Sequence, residues 1–240
     1  MTYCVGVLLE SGLVMASDSR TNAGVDHVAT FPKMTIFSKP DERVITMMTA
    51  GNLAISQAVV SLLQKQISEN MEPNLYTVPS MVDAAHVVGD ALRAVHAEDA
   101  EHLKKHAADF NQSILLGGQI TGERPRLFNI YAAGNFIEAV AETPYFQIGE
   151  TKYGKPILDR IIGNNSSLNE VTKCVLISFD STIRSNLSVG LPIDLLQYYT
   201  DSFDASNKRR ISDDDAYFKQ LRKKWAEGLK RVFSELPEPN

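Results

Sequence analysis

The hydrophobic period of the chain switches at Gly51-Asn52, and that switch confines the fold to strands packed against helices. Before it, Tyr3, Val5, Val7 and Leu9 alternate with Cys4, Gly6 and Leu8, and Ser11-Gly12 supplies a turn. Residues 13–17 continue as a second short strand that ends at Asp18. Residues 34–37 form a third, closed by a turn at Lys39-Pro40-Asp41, and residues 44–50 a fourth, apolar on both faces and so read as buried. After the switch, Leu53, Val59, Val60, Leu63 and Ile67 fall on one side of a helix. Val82, Ala85, Val88, Leu92 and Val95 give the stripe of a second helix over about 80–108, with Ser80 as its N-cap.

Strands return at 112–119 and 126–131, with shorter apolar pieces up to Ile148. Helices fit 152–162 and 168–182, and 192–199 reads as the last strand. A final amphipathic helix, about 214–236, carries Phe218, Leu221, Trp225, Leu229, Val232 and Leu236 at spacings of three or four, a stripe read as packing within the chain or against another subunit. With no repeat or linker in its 240 residues, the chain reads as one domain over 1–240, with α and β layers built on antiparallel sheets.

Composition excludes several classes. No run approaches the roughly 18 apolar residues of a membrane span, and the opening Met1-Thr2-Tyr3-Cys4 lacks a basic region followed by a long apolar stretch, so neither membrane insertion nor secretion is expected. Cys4 and Cys174 are too few for a disulfide framework or a zinc site, which places the chain in a reducing cytoplasm, with Cys4 read as a core residue. His102 and His106 stand four apart on the second helix but lack a third ligand, so a solvated face is expected, with no metal and no cofactor. The formal charge of −5 argues against a nucleic-acid partner. It is unevenly spread: from Lys208 onward there are nine basic and six acidic residues, against fifteen and twenty-three before it. A solvated basic helix on an acidic body accounts for this, and so does a tail that docks on an acidic neighbouring subunit.

One arrangement carries chemistry. Methionine before a small residue is commonly trimmed, which would make Thr2 the N-terminal residue. Its hydroxyl can then attack a carbonyl while its own amine, with an ordinary pKa of about 7.7–8.0, accepts the proton. A nearby ammonium keeps that amine neutral, and Lys33, just before a strand, is the candidate. A buried lysine needs a counter-charge, which Asp18 can supply. The tetrahedral intermediate needs a backbone N–H, and Gly51, at a strand-to-helix corner, allows close approach.

Ala16-Ser17-Asp18-Ser19-Arg20, then Lys33, then Thr49-Ala50-Gly51-Asn52-Leu53-Ala54, resembles the proteasome β-subunit and the bacterial HslV peptidase. The opening Thr2-Tyr3-Cys4-Val5-Gly6-Val7, the run from Ser17 to Asp26 and the later run from Ser185 to Leu195 resemble most closely the bacterial Anbu family, a proposed ancestral β-subunit. The resemblance implies a four-layer αββα sandwich of the N-terminal-nucleophile hydrolase type. It also implies a threonine peptidase assembled with copies of itself into a ring or spiral, any ATP dependence coming from a separate ATPase, since no P-loop is present. Arg20 is expected to position a loop. Two elements depart from the proteasome pattern. Gly-Ser-Gly becomes Gly149-Glu150-Thr151, where Glu150 can supply a carboxylate, and Asp-x-x-Ser-Gly becomes a segment in which Ser188 fits the serine while Ser185 takes the aspartate's place. These departures keep two rivals open: a non-proteolytic amide hydrolase, and a scaffold subunit without activity.

Overall fold

The computed structural model describes residues 2–22, 28–105, 111–163 and 165–239. Strands β1 (Tyr3–Leu9) and β2 (Gly12–Asp18) open the chain, followed by a short hairpin of β3 (Arg20–Asn22) and β4 (Val28–Thr30), then β5 (Met34–Lys39) and β6 (Arg43–Ala50). Helices α1 (Leu53–Ser68) and α2 (Met81–Lys105) lead to β7 (Ser113–Ile120), β8 (Arg126–Ile130), β9 (Phe136–Glu138) and β10 (Tyr145–Gly149). Helices α3 (Lys155–Ile161) and α4 (Leu168–Ser185), strands β11 (Ile193–Tyr199) and β12 (Lys208–Ile211) and helix α5 (Ala216–Glu235) complete it.

The strands form two five-stranded antiparallel sheets, ordered β10-β1-β2-β11-β12 and β5-β6-β7-β8-β9. The two-residue side-chain period sorts each strand between two cores. Tyr3, Val5 and Val7 of β1 pack beneath α3, α4 and α5, while Cys4 faces the other sheet. In β6, Ile45 and Met47 pack under α1 and α2, while Val44, Met48 and Ala50 meet Leu13 and Met15 between the sheets. Both faces of β2 and β6 are therefore covered, which is why these strands read as continuous apolar runs. Register is fixed by the same burial, since a one-residue slip would exchange the two cores. The result is a four-layer αββα sandwich, an α+β fold.

The helices start where their caps place them. The Asn52 side chain accepts from Ala54 N–H to begin α1, Ser80 Oγ accepts from Asp83 N–H at the start of α2, and Ser167 with Glu170 makes a reciprocal capping box for α4. The helix expected over 152–162 is shorter in the structure: Lys152 to Gly154 form turns, and Pro156 stands in the first turn of α3. The end of the second helix, 106–108, lies outside the described residues. No helix among the described residues is long and apolar enough to cross a membrane.

Candidate active site

Strand β2 ends at Asp18 with its carboxylate fully buried. Oδ1 accepts from Lys33 Nζ at 2.7 Å and from the Tyr3 backbone N–H at 3.0 Å, and Oδ2 accepts from Gly190 N–H at 3.4 Å. One carboxylate thus ties β1 next to Thr2, the lysine ahead of β5 and the approach to β11. Burial pushes the Asp18 carboxyl above its ordinary value, and the Lys33 ammonium and the two N–H donors offset only part of that. Lys33 is itself 6% exposed and gives a second hydrogen bond, 2.8 Å, to the Arg20 carbonyl. The third ammonium proton has no acceptor among the described residues, and Lys33 lines a cleft shared with Thr2. The Arg20 side chain reaches the other way. Its Nη1 donates to the Leu187 carbonyl at 2.8 Å, and its guanidinium covers Gly190, where a Cβ would lie 2.3 Å from Cζ. Asp18, Lys33, Arg20 and the 187–190 segment therefore form a closed circuit.

Thr2 is half-buried at the mouth of the cleft, which has a volume of about 520 Å³. Its carbonyl accepts from Glu150 N–H at 2.7 Å, an extension of the β1–β10 ladder past Tyr3↔Gly149. Gly149 must be glycine for this. Its φ is +84°, and a Cβ there would stand 2.0 Å from the Thr2 oxygen. The Gly149→Ala variant is expected to push Thr2 out of register and to lose about 1–3 kcal/mol of stability, read as a fall in Tm with a weakened Thr2 reaction toward electrophiles. An unchanged Tm and unchanged labelling would show that β10 does not hold Thr2. The Glu150 side chain is buried and does not float free. Oε2 accepts from Asn186 Nδ2 at 2.9 Å and Oε1 from Lys152 N–H at 3.2 Å, while Asn186 Oδ1 accepts from Ser188 N–H at 2.9 Å.

At the far wall, Gly51 has φ +126°, and a Cβ there would lie 2.1 Å from the Asn111 carbonyl oxygen. Its N–H has no hydrogen-bond acceptor among the described residues, as a donor reserved for a ligand oxygen requires. Behind the corner, Gln112 Nε2 donates to Ser56 Oγ at 2.7 Å, and Ser56 Oγ donates to the Asn52 carbonyl at 3.0 Å, so a buried relay braces the Gly51-Asn52 bend. Lys33 is the only charged side chain of the cleft wall among the described residues; Thr49, Ser56 and Ser113 give it neutral hydroxyls.

The structure thus brings Thr2, Lys33 and Gly51 to one cleft, with Asp18 buried behind Lys33, Arg20 bonded to the Lys33 side chain through its carbonyl and Glu150 bonded to the Thr2 carbonyl through its N–H. Ser188 contributes its backbone N–H. Ser185 stands apart, exposed at the end of α4, and its neighbour Asn186 makes the link to Glu150. Gln112, Ser56 and Asn186 were not legible as site residues, since single polar residues at a strand start or a helix end carry no pattern. Burial pushes the Cys4 thiol up, and its Sγ faces the Thr49 carbonyl in the core between the sheets, as a structural cysteine does. No cluster of three or more His, Cys, Asp or Glu among the described residues could hold a metal; His106 and the side chain of His102 lie outside what is described.

Solved structures cover the whole of this arrangement. The chain is similar to Anbu (ancestral beta-subunit) from Yersinia bercovieri, with 51% identity over 99% of each chain and a TM-score of 0.94. It is similar to the Anbu complex of Pseudomonas aeruginosa, solved as a helical assembly, with 49% identity, 99% and 98% coverage of the two chains and a TM-score of 0.95. A Gly-1 mutant of Anbu from Hyphomicrobium sp. strain MC1 matches with 51% identity over the full length of both chains and a TM-score of 0.93. No family model and no curated protein matches the chain.

Proposed function

Because the chain belongs to the Anbu family of proteasome-like proteins, we propose that it is a threonine hydrolase that cleaves peptide bonds through Thr2, freed by removal of Met1. The observation that carries this reading is the buried Asp18–Lys33 pair, 2.7 Å apart, held beside residue 2 at a cleft that also contains Gly51. A buried ion pair is a poor way to stabilise a fold, since desolvation consumes most of its attraction. Its placement at the cleft wall is what a catalytic ammonium needs.

In the proposed reaction, Thr2 Oγ attacks the substrate carbonyl and passes its proton to the Thr2 amine. The oxyanion forms against the Gly51 N–H. The C–N bond then breaks, the amine's proton goes to the leaving nitrogen, and the acyl group remains as an ester on Oγ. Water attacks that ester, giving a proton to the same amine, and the alcohol is restored. Lys33 keeps the amine neutral between steps, because a neighbouring cation disfavours its protonated form. Asp18 is the counter-ion that holds the Lys33 side chain in place at 2.7 Å. The neutral hydroxyls of the cleft suit an uncharged side chain on the acyl side of the scissile bond. Self-assembly into a ring or spiral belongs to the same reading and is supported by the helical assembly of the Pseudomonas aeruginosa relative.

One observation favours a second reading. Glu150 and Ser185 depart from the proteasome pattern, and Glu150 is held by Asn186 instead, a support compatible with a different amide substrate. Intact mass of the purified protein, followed by treatment with an electrophilic inhibitor, tests the chemistry itself. Loss of Met1 and a single adduct mapped to Thr2 are expected. Retention of Met1 together with no adduct would leave a scaffold subunit instead. A panel of peptides and small acyl-amides then separates peptidase from amidase.

A further inference from the structure

Gln112 is a buried amide that leaves half of its hydrogen-bonding unused. It stands just past the last β6–β7 pair, Ala50↔Ser113, and is 1% exposed. Nε2 donates to Ser56 Oγ at 2.7 Å, while Oε1 is buried with no donor among the described residues. An unpaired buried acceptor costs stability, and a methionine of similar length would fill the space without that cost. Stability therefore does not account for this residue, whereas its position does. Oε1 lies against Gly51, 2.6 Å from where a Cβ would stand, and the Asn111 carbonyl oxygen lies 2.1 Å from the same point.

Gly51 needs holding. It has no side chain to pack, its φ of +126° is one that other residues rarely adopt, and its N–H has no acceptor among the described residues. On its N-terminal side the chain is fixed by the β6–β7 ladder. On its C-terminal side the Asn52 carbonyl accepts from both the N–H and the Oγ of Ser56, each at 3.0 Å. Gln112 joins these two anchors, because it leads into β7 and grips Ser56 of α1. The two oxygens behind the Gly51 Cα keep the corner from backing away from the cleft. The geometry points to Gln112 as a positioning residue for the oxyanion: it clamps the Gly51-Asn52 corner so that the Gly51 N–H stays in place while the anion forms and collapses. The inference rests on the proposed Thr2 reaction and adds the group that keeps its oxyanion donor fixed.

Two probes built on one leucine tripeptide test it. The aldehyde adds to Thr2 Oγ through its carbonyl and sets the former carbonyl oxygen, with its negative charge, against Gly51. The vinyl sulfone adds through an alkene carbon and places no such oxygen there. In Gln112→Met the aldehyde is expected to bind at least about tenfold more weakly, part of the roughly hundredfold to thousandfold that an oxyanion donor contributes, while sulfone labelling stays within about twofold of wild type. With peptide substrates kcat should fall and KM should hardly move, the mark of an interaction made only in the transition state. Ser56→Ala cuts the same link from its other end, so it should show the same split, and the double variant should lose no more than the worse single one. Ser56→Ala also carries the test should Gln112→Met fail to fold, with Tm as the check. Wild type that takes neither probe overturns the Thr2 reading and this role with it. Wild type that takes the sulfone but not the aldehyde overturns the positioning role alone. So does an equal loss of both probes, a loss of neither, or the unfolding of both variants, which would make the link a structural one.

Discussion

Replacing Asp18 with alanine is expected to cost about 3–5 kcal/mol, a fall in Tm of roughly 6–20 °C for a chain of this size. The loss exceeds that of one hydrogen bond because three groups are stranded together. Lys33 keeps a buried ammonium without its counter-ion, and the N–H groups of Tyr3 and Gly190 lose their acceptor. Asp18→Asn keeps an acceptor for Tyr3 and should lose less. The double variant Asp18→Ala/Lys33→Met should recover much of the deficit, since removing both charges spares the cost of burying one alone. Lys33→Met by itself has a pH signature. The Asp18 carboxyl is already raised by burial, and without the ammonium it rises further. A raised carboxyl favours the folded state below its unfolded pKa, about 3.9, and that advantage is lost as pH climbs through the folded value. The deficit of Lys33→Met relative to wild type should therefore grow from about pH 4 toward neutrality. A deficit independent of pH, or a double variant as unstable as Asp18→Ala, would show that the two charges are not coupled.

The same pair explains why the core of the site was legible before the fold was known. Asp18 closes a strand, Lys33 precedes one and Gly51 follows one, and strand ends are fixed by hydrophobic alternation that is plain in the sequence. Elements without such alternation were missed. β3 and β4 are three residues each, too short for a period to show. β12 reads Lys208-Arg209-Arg210-Ile211, which looks like part of a basic tail; in the structure it pairs with β11 at the sheet edge, where exposed basic side chains are normal. Of the supporting residues that the resemblance implies, Arg20, Glu150, Ser185 and Ser188, the structure leaves the Ser185 side chain exposed at the end of α4 and sets its neighbour Asn186 against Glu150. Ser185 is the last residue of α4, whereas Asn186 is already in extended backbone, so where the helix ends decides which of two adjacent side chains meets Glu150.

The Thr2→Ala variant should do the opposite of Asp18→Ala, leaving the fold intact and removing the chemistry. Thr2 is half-buried, and the hydrogen bond that anchors it runs from Glu150 N–H to its main-chain carbonyl, which alanine retains. Stability should change by no more than about 0.5 kcal/mol. Hydrolysis, and adduct formation with electrophiles, should fall by roughly ten-thousandfold to a millionfold, the scale seen when a nucleophile is removed from an otherwise complete acyl-transfer site. Thr2→Ser keeps hydroxyl and amine and should keep activity. The acid limb of the wild-type pH profile should lie at or below the ordinary amine value of about 7.7–8.0, because Lys33 disfavours the protonated amine, and Lys33→Met should move it upward in whatever fraction remains folded. Activity that survives in Thr2→Ala with Tm unchanged would mean that another group in the Lys33–Gly51 cleft attacks, and the roles assigned to both would have to be redrawn around it.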